Sequence, residues 1–153
     1  MTVALDTNIL LDIISQNAEH RHSSIQKVRD ALRDGEVTVG EVVFAELSPS
    51  FANEASVRAF LDSVGISFRA SSAQALHRAG TAFRAYLQRR VFCCARCGTS
   101  VNMTCPNCGT SVTGRQHVVA DFMIGAHALV HAGRLLTRDR GYYGMYFPEL
   151  VLV

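Results

Sequence analysis

Short apolar runs alternate along this chain with longer stretches whose apolar residues recur every three or four positions. The first run is Thr2-Val3-Ala4-Leu5, and a late one is Arg134-Leu135-Leu136. Runs of this length, without polar alternation, suit strands buried on both faces. The stretches between them are long enough for helices. Such an alternation marks a parallel sheet covered by helices, so an α/β fold is expected.

The first strand is expected at Thr2–Leu5, followed by Thr7-Asn8 and a helix through Ile14. A second helix should span about residues 18–33, stopped by the turn signal Asp34-Gly35. Val37-Thr38-Val39 is the second strand. Gly40 then opens a helix carrying Glu41 and Glu46, which Pro49 should end. Residues 53–64 form the next helix, with Asn53 as N-cap, before a third strand at Ile66-Ser67-Phe68. From Ser71 or Ser72 a long helix runs to about Arg90, with Ala75, Leu76, Ala79, Ala82, Phe83, Tyr86 and Leu87 at helical spacing. Helical spacing resumes near His117 and continues to His131, where Gly133 stops it. A fourth strand at Leu135-Leu136, a short helix over residues 142–147 and a strand at residues 150–153 follow. Right-handed crossovers put strand four beside strand one, giving a mostly parallel sheet of order 3-2-1-4-5.

At 153 residues the chain is expected to be one domain, residues 1–153, with its own core. Hydrophobic residues make up 48%, which argues against disorder. The N-terminal stretch has no basic lead, and Asp6 and Asp12 interrupt it. Neither a signal peptide nor a membrane span is expected, so a cytoplasmic location is. The formal charge of +2 points to no partner by itself. Its distribution does: no acidic residue lies between Asp62 and Asp121, whereas Arg69, Arg78, Arg84, Arg89, Arg90, Arg96 and Arg115 do. Arginine's planar fork suits phosphate, although a solvated helix face would look the same.

Residues 93–113 break the helical pattern. Cys94-Ala95-Arg96-Cys97-Gly98 and Cys105-Pro106-Asn107-Cys108-Gly109 are two C-x-x-C-G knuckles. Each such turn aims two thiolates at one metal, and two knuckles close a tetrahedral tetrathiolate zinc site. Disulfides and an iron centre are the alternatives, and Cys93 could replace Cys94 with a longer bite. The insert holds few large apolar residues (Val101, Met103 and Val112), so metal would supply most of its folding free energy. A small zinc ribbon inserted between two helices is the expectation.

Four acids remain: Asp6 just past strand one, Asp139 just past strand four, and Glu46 and Asp121 on helices. Each alone could be a cap or an exposed helix residue. In the expected topology Asp6 and Asp139 meet at the switch point of the sheet, where open α/β folds bind ligands. With Glu46 and Asp121 they would make an oxygen-rich site suited to Mg²⁺ or Mn²⁺. Asn8 and Thr137 could hydrogen-bond those acids or phosphate oxygens, or serve as turn-forming or capping residues. His117, four residues before Asp121, shares its helical face and could meet a substrate or be a plain surface residue. His127 and His131 read as packing or surface residues.

These segments resemble the PIN-domain nucleases, in particular VapC-type toxins of toxin–antitoxin pairs. The matching stretches are Leu5-Asp6-Thr7-Asn8-Ile9-Leu10, Val43-Phe44-Ala45-Glu46-Leu47, Ala120-Asp121-Phe122-Met123-Ile124-Gly125-Ala126-His127-Ala128 and Leu136-Thr137-Arg138-Asp139-Arg140-Gly141-Tyr142-Tyr143. The resemblance covers nearly the whole chain except the cysteine insert. It implies a PIN-like three-layer fold and a Mg²⁺- or Mn²⁺-dependent endoribonuclease whose site acids are Asp6, Glu46, Asp121 and Asp139. It also implies an RNA substrate, neutralisation by a VapB-type antitoxin, and a homodimer. An RNA-processing or DNA-cleaving relative outside a toxin pair, or a non-catalytic nucleic-acid adaptor built on the ribbon, are the competing expectations.

Overall fold

A computed structural model of the chain describes residues 1–15, 19–88, 92–93, 99–110 and 118–153. The elements are β1 (Thr2–Leu5), α1 (Thr7–Ile14), α2 (Arg21–Asp34), β2 (Glu36–Val39), α3 (Glu41–Leu47), a 3₁₀ turn (Ser48–Ser50), α4 (Glu54–Val64) and β3 (Ile66–Phe68). They continue with α5 (Ala73–Gln88), β4 (Phe92–Cys93), β5 (Ser100–Val101), α6 (Val119–His131), β6 (Arg134–Leu136), α7 (Arg140–Tyr146) and β7 (Val151–Leu152).

The main sheet has the order β3-β2-β1-β6-β7, and every pairing in it is parallel. Counted along that sheet, this is the expected 3-2-1-4-5. Consecutive side chains of a strand point to opposite faces, so the burial of Val3, Ala4 and Leu5, and of Val37, Thr38 and Val39, shows both faces covered. At the edge, β3 buries only Ile66 and leaves Ser67 and Phe68 exposed.

On α6, Phe122 and the run Ile124–Ala128 are buried, so this helix passes through the core rather than over it. Phe122 is ringed by Phe83, Tyr86, Tyr142 and Tyr146, with centroids 5.2–5.5 Å away. Burying one such side chain stabilises by roughly 1.5–3 kcal/mol. Three residues along, Gly125 lets the segment after α7 come in close. A Cβ there would lie 2.4 Å from the Phe147 ring.

Several boundaries differ from expectation for local reasons. α2 begins at Arg21, and residues 16–18 lie outside the described ones. α3 does end before Pro49, at Leu47: Pro49 has no N–H to offer the Ala45 carbonyl, and it sits in the 3₁₀ turn instead. α5 starts at Ala73 because the Ser72 hydroxyl accepts from the Ala75 N–H at 3.3 Å. α7 starts at Arg140, capped by Asp139. Asn53 does cap α4, accepting from the Ser56 N–H at 2.9 Å, and Gly65 closes that helix at φ +79°. Among the described residues, no helix is long and apolar enough to cross a membrane.

The described part of the insert begins with an antiparallel ribbon, β4 paired to β5. The second knuckle follows. The Gly109 N–H reaches the Cys105 carbonyl at 2.9 Å, the Cys105 N–H reaches the Thr110 carbonyl at 2.8 Å, and Gly109 sits at φ +70°. That tight left-handed step is the reason for the glycine after the second cysteine.

Candidate active site

The Asp6 N–H donates to the Leu136 carbonyl at 3.0 Å, extending the β1–β6 ladder by one rung. Both strands then leave the sheet at the same rim. Asp6 is the N-cap residue of α1, yet its carboxylate makes no capping bond. One oxygen, Oδ2, instead accepts from the Thr137 hydroxyl at 2.6 Å and from the Asn8 amide at 2.7 Å. Thr137 Oγ1 in turn accepts from the Asp139 N–H at 3.0 Å and from Asn8 Nδ2 at 3.2 Å. Two turns far apart in sequence are thereby stitched together.

The other two acids arrive on helices. Glu46, near the end of α3, accepts a hydrogen bond from the Thr7 hydroxyl. Asp121, in the first turn of α6, accepts from the Val118 N–H at 3.0 Å. Asp139 caps α7, its Oδ1 accepting from the Tyr142 N–H at 3.2 Å. All four acids border one open cleft of about 440 Å³, with Thr7, Asn8, Leu11, Ile124, Tyr142 and Tyr143.

Burial raises the Asp6 carboxyl above its ordinary value. Hydrogen bonds from Thr137 and the Thr7 backbone oppose this, and the nearby Glu46 and Asp121 add to it. The Tyr142 and Tyr143 phenols are pushed above their ordinary range by burial, and for both Asp121 adds to the rise. They stay protonated at neutral pH.

This donor set is all oxygen, and its electrostatics call for a cation. Among the described residues, no three His, Cys, Asp or Glu side chains are gathered at metal-ligand spacing. Carboxylate and hydroxyl oxygens facing an open cleft are hard donors, of the kind taken by an ion that keeps much of its water. Mg²⁺ does so, using one or two carboxylates directly. At about 30 Å³ per water, the cleft has room for a hydrated ion and a phosphate group. The residues fit Mg²⁺ or Mn²⁺ on that basis.

Asn8 and Thr137, singled out from the sequence, are part of this network. Thr7, Tyr142 and Tyr143 were not singled out. Thr7 carried one signal, a hydroxyl directly after the strand-end Asp6. His117 lies outside the described residues. His127 is buried away from the cleft, with Nδ1 3.0 Å from Ser71 Oγ, and Ser71 Oγ donates to Glu41 at 2.9 Å. His131 Nε2 accepts from the Ser72 N–H at 3.0 Å. Burial first, then His131, depress the His127 imidazole to about 4, with Arg69 lowering it further and Glu41 opposing.

Of the arginines, Arg69 and Arg84 are exposed. Arg78 instead packs over Phe147 and reaches Glu149 and the Tyr146 carbonyl. Arg89, Arg90, Arg96 and Arg115 lie outside the described residues, as do Cys94 and Cys97. The thiols of Cys105 and Cys108 are free of disulfides. The Cys108 thiol is held below its usual range by hydrogen bonding with Thr110 and then Cys105.

The sheet order and the covering helices define a PIN-like fold, as the resemblance implied. The structure is similar over its whole length to a chain of the VapBC2 complex from Rickettsia felis bound to a promoter DNA fragment. There the TM-score is 0.63 and the identity 17%, covering 98% of that chain. It is similar in the same way to a chain of VapBC-1 from nontypeable Haemophilus influenzae, with TM-score 0.63, identity 16% and 97% of that chain covered. No protein family and no curated protein matches the sequence.

Proposed function

We propose that the chain is a Mg²⁺- or Mn²⁺-dependent endoribonuclease and the toxin of a type II toxin–antitoxin pair. The observation that carries this reading is the single cleft bordered by Asp6, Glu46, Asp121 and Asp139. A bound divalent ion would supply charge to polarise the scissile phosphate and to activate a water. Asp6 and Asp139 would hold it most directly, and Glu46 and Asp121 would orient its waters. Thr137 and Asn8 keep the Asp6 carboxylate turned away from its capping role. Thr7 holds Glu46, and Ile124 and Tyr143 give the cleft a less polar wall.

The two structures compared above are VapBC assemblies, which supports a VapB-type antitoxin as partner; a homodimer is the assembly we propose. Cys94, Cys97, Cys105 and Cys108 would bind a structural Zn²⁺, with the insert shaping RNA access or a partner surface. A binding-only adaptor is disfavoured. Carboxylates crowded into the cleft would repel RNA phosphates and serve no purpose without a cation.

The test is to sequence RNA 5′ ends after induced expression of the wild type and of Asp6→Asn. New ends at defined positions, in the wild type alone, are expected. Identical profiles in the two would contradict the reading.

A further inference from the structure

Asp12 lies one turn beyond Asn8 on α1, so the two share a helical face. Its side chain is 7% exposed, within a helix whose Ile9 and Leu10 are core residues. Two groups satisfy it. Arg138 Nε stands 3.1 Å from Asp12 Oδ2, and the Ser24 hydroxyl of α2 donates to the same oxygen at 2.7 Å. Arg138 is also held at its backbone, where its N–H meets Asn8 Oδ1 at 3.4 Å. One face of α1 thus grips one residue twice, and that residue immediately precedes Asp139.

We propose that Asp12 and Arg138 are positioning residues that fix Asp139 relative to Asp6 for divalent-ion binding. This rests on the metal-dependent reading of the cleft. Stability alone does not account for the pair. A buried carboxylate is costly, and an apolar residue of similar size would serve the core as well or better. The geometric role does account for it. The Asn8–Thr137–Asp6 network also ties the β6–α7 turn to the start of α1, holding Thr137 and the Arg138 backbone. The Arg138 guanidinium adds a second point of attachment one turn along α1. Two points fix the direction in which Asp139 leaves the sheet, where one would leave a pivot.

The test is calorimetric titration of the purified apoprotein with Mn²⁺ alone, across wild type, Asp6→Asn, Asp12→Asn, Arg138→Gln and the Asp12→Asn/Arg138→Gln double variant. Arg138→Gln is the decisive arm. It removes a positive charge near an acidic site, which through space would tighten cation binding. Loss of positioning predicts the reverse, a weakening of about tenfold. The double variant should be no weaker than Arg138→Gln, since both changes break one bond. Arg138 is 42% exposed, so this variant should fold even if Asp12→Asn does not, and thermal melting verifies that. Tighter or unchanged Mn²⁺ binding by Arg138→Gln, with Asp6→Asn abolishing it, overturns the positioning role alone. Unchanged binding by Asp6→Asn overturns the metal reading beneath it.

Discussion

The Thr137 hydroxyl donates to the Asp6 carboxylate across 2.6 Å, joining residues 131 positions apart. Thr137 is fully buried and holds Asp6, Asn8 and the Asp139 backbone through one oxygen. One hydroxyl therefore ties the two strand-end acids together directly, beside the contacts that Asn8 and Asp12 make to Arg138.

Thr137→Val keeps the shape and removes that oxygen. The Asp139 N–H and a buried Asp6 oxygen each lose a partner, so destabilisation of roughly 1–3 kcal/mol is expected in urea unfolding at neutral pH. Metal-dependent cleavage should fall by roughly 10- to 100-fold. Thr137→Ser, which keeps the hydroxyl, should retain most of both. Equal losses in the two variants would show that the methyl group matters and the hydroxyl does not.

His127 gives the fold a defined acid sensitivity. Its imidazole titrates near 4 in the folded state, against 6.5 unfolded. Between those values the unfolded chain binds more protons, so stability is complete above 6.5 and falls as pH drops toward 4. The full difference is on the order of 3 kcal/mol. Ser71, Glu41, His131 and Arg69 surround this group. Urea unfolding of the wild type and of His127→Gln from pH 7 down to 4 isolates its share. Parallel stability curves for the two proteins would refute it.

The insert should carry its own metal. Purified protein is expected to contain about one zinc per chain, and Cys105→Ser with Cys108→Ser should release it. The main sheet should survive, because its core draws on β1, β2, α6 and β6. Zinc content and melting temperature measure the two effects. Zinc retained by the double variant would contradict the tetrathiolate assignment, and global unfolding would contradict a separable insert.

The sheet order could be read from the sequence because the strands are short, mostly apolar runs between helical stretches and each crossover has one favoured hand. Asp6 and Asp139 stood out because they follow strand ends, whereas Glu46 and Asp121 lie on helices and reach the same cleft only through the tertiary fold. Their supports could not be read. Thr7 meets Glu46 across 39 positions, and Arg138 meets Asp12 across more than a hundred. Nothing local in Asp12 marks it as buried and paired. His127 was legible only as a packing or surface residue, since its link to Ser71 depends on how α6 lies against the start of α5.

On the proposed function, Asp6, Glu46, Asp121 and Asp139 act as one metal site that cuts RNA. This is tested most directly by incubating purified wild type, Asp6→Asn and Asp139→Asn with RNA and Mg²⁺ or Mn²⁺, with and without EDTA. Cleavage is expected from the wild type only, dependent on the ion and abolished by the chelator, with both variants folded and inactive. Undiminished cleavage in EDTA, or by Asp6→Asn, would contradict that function.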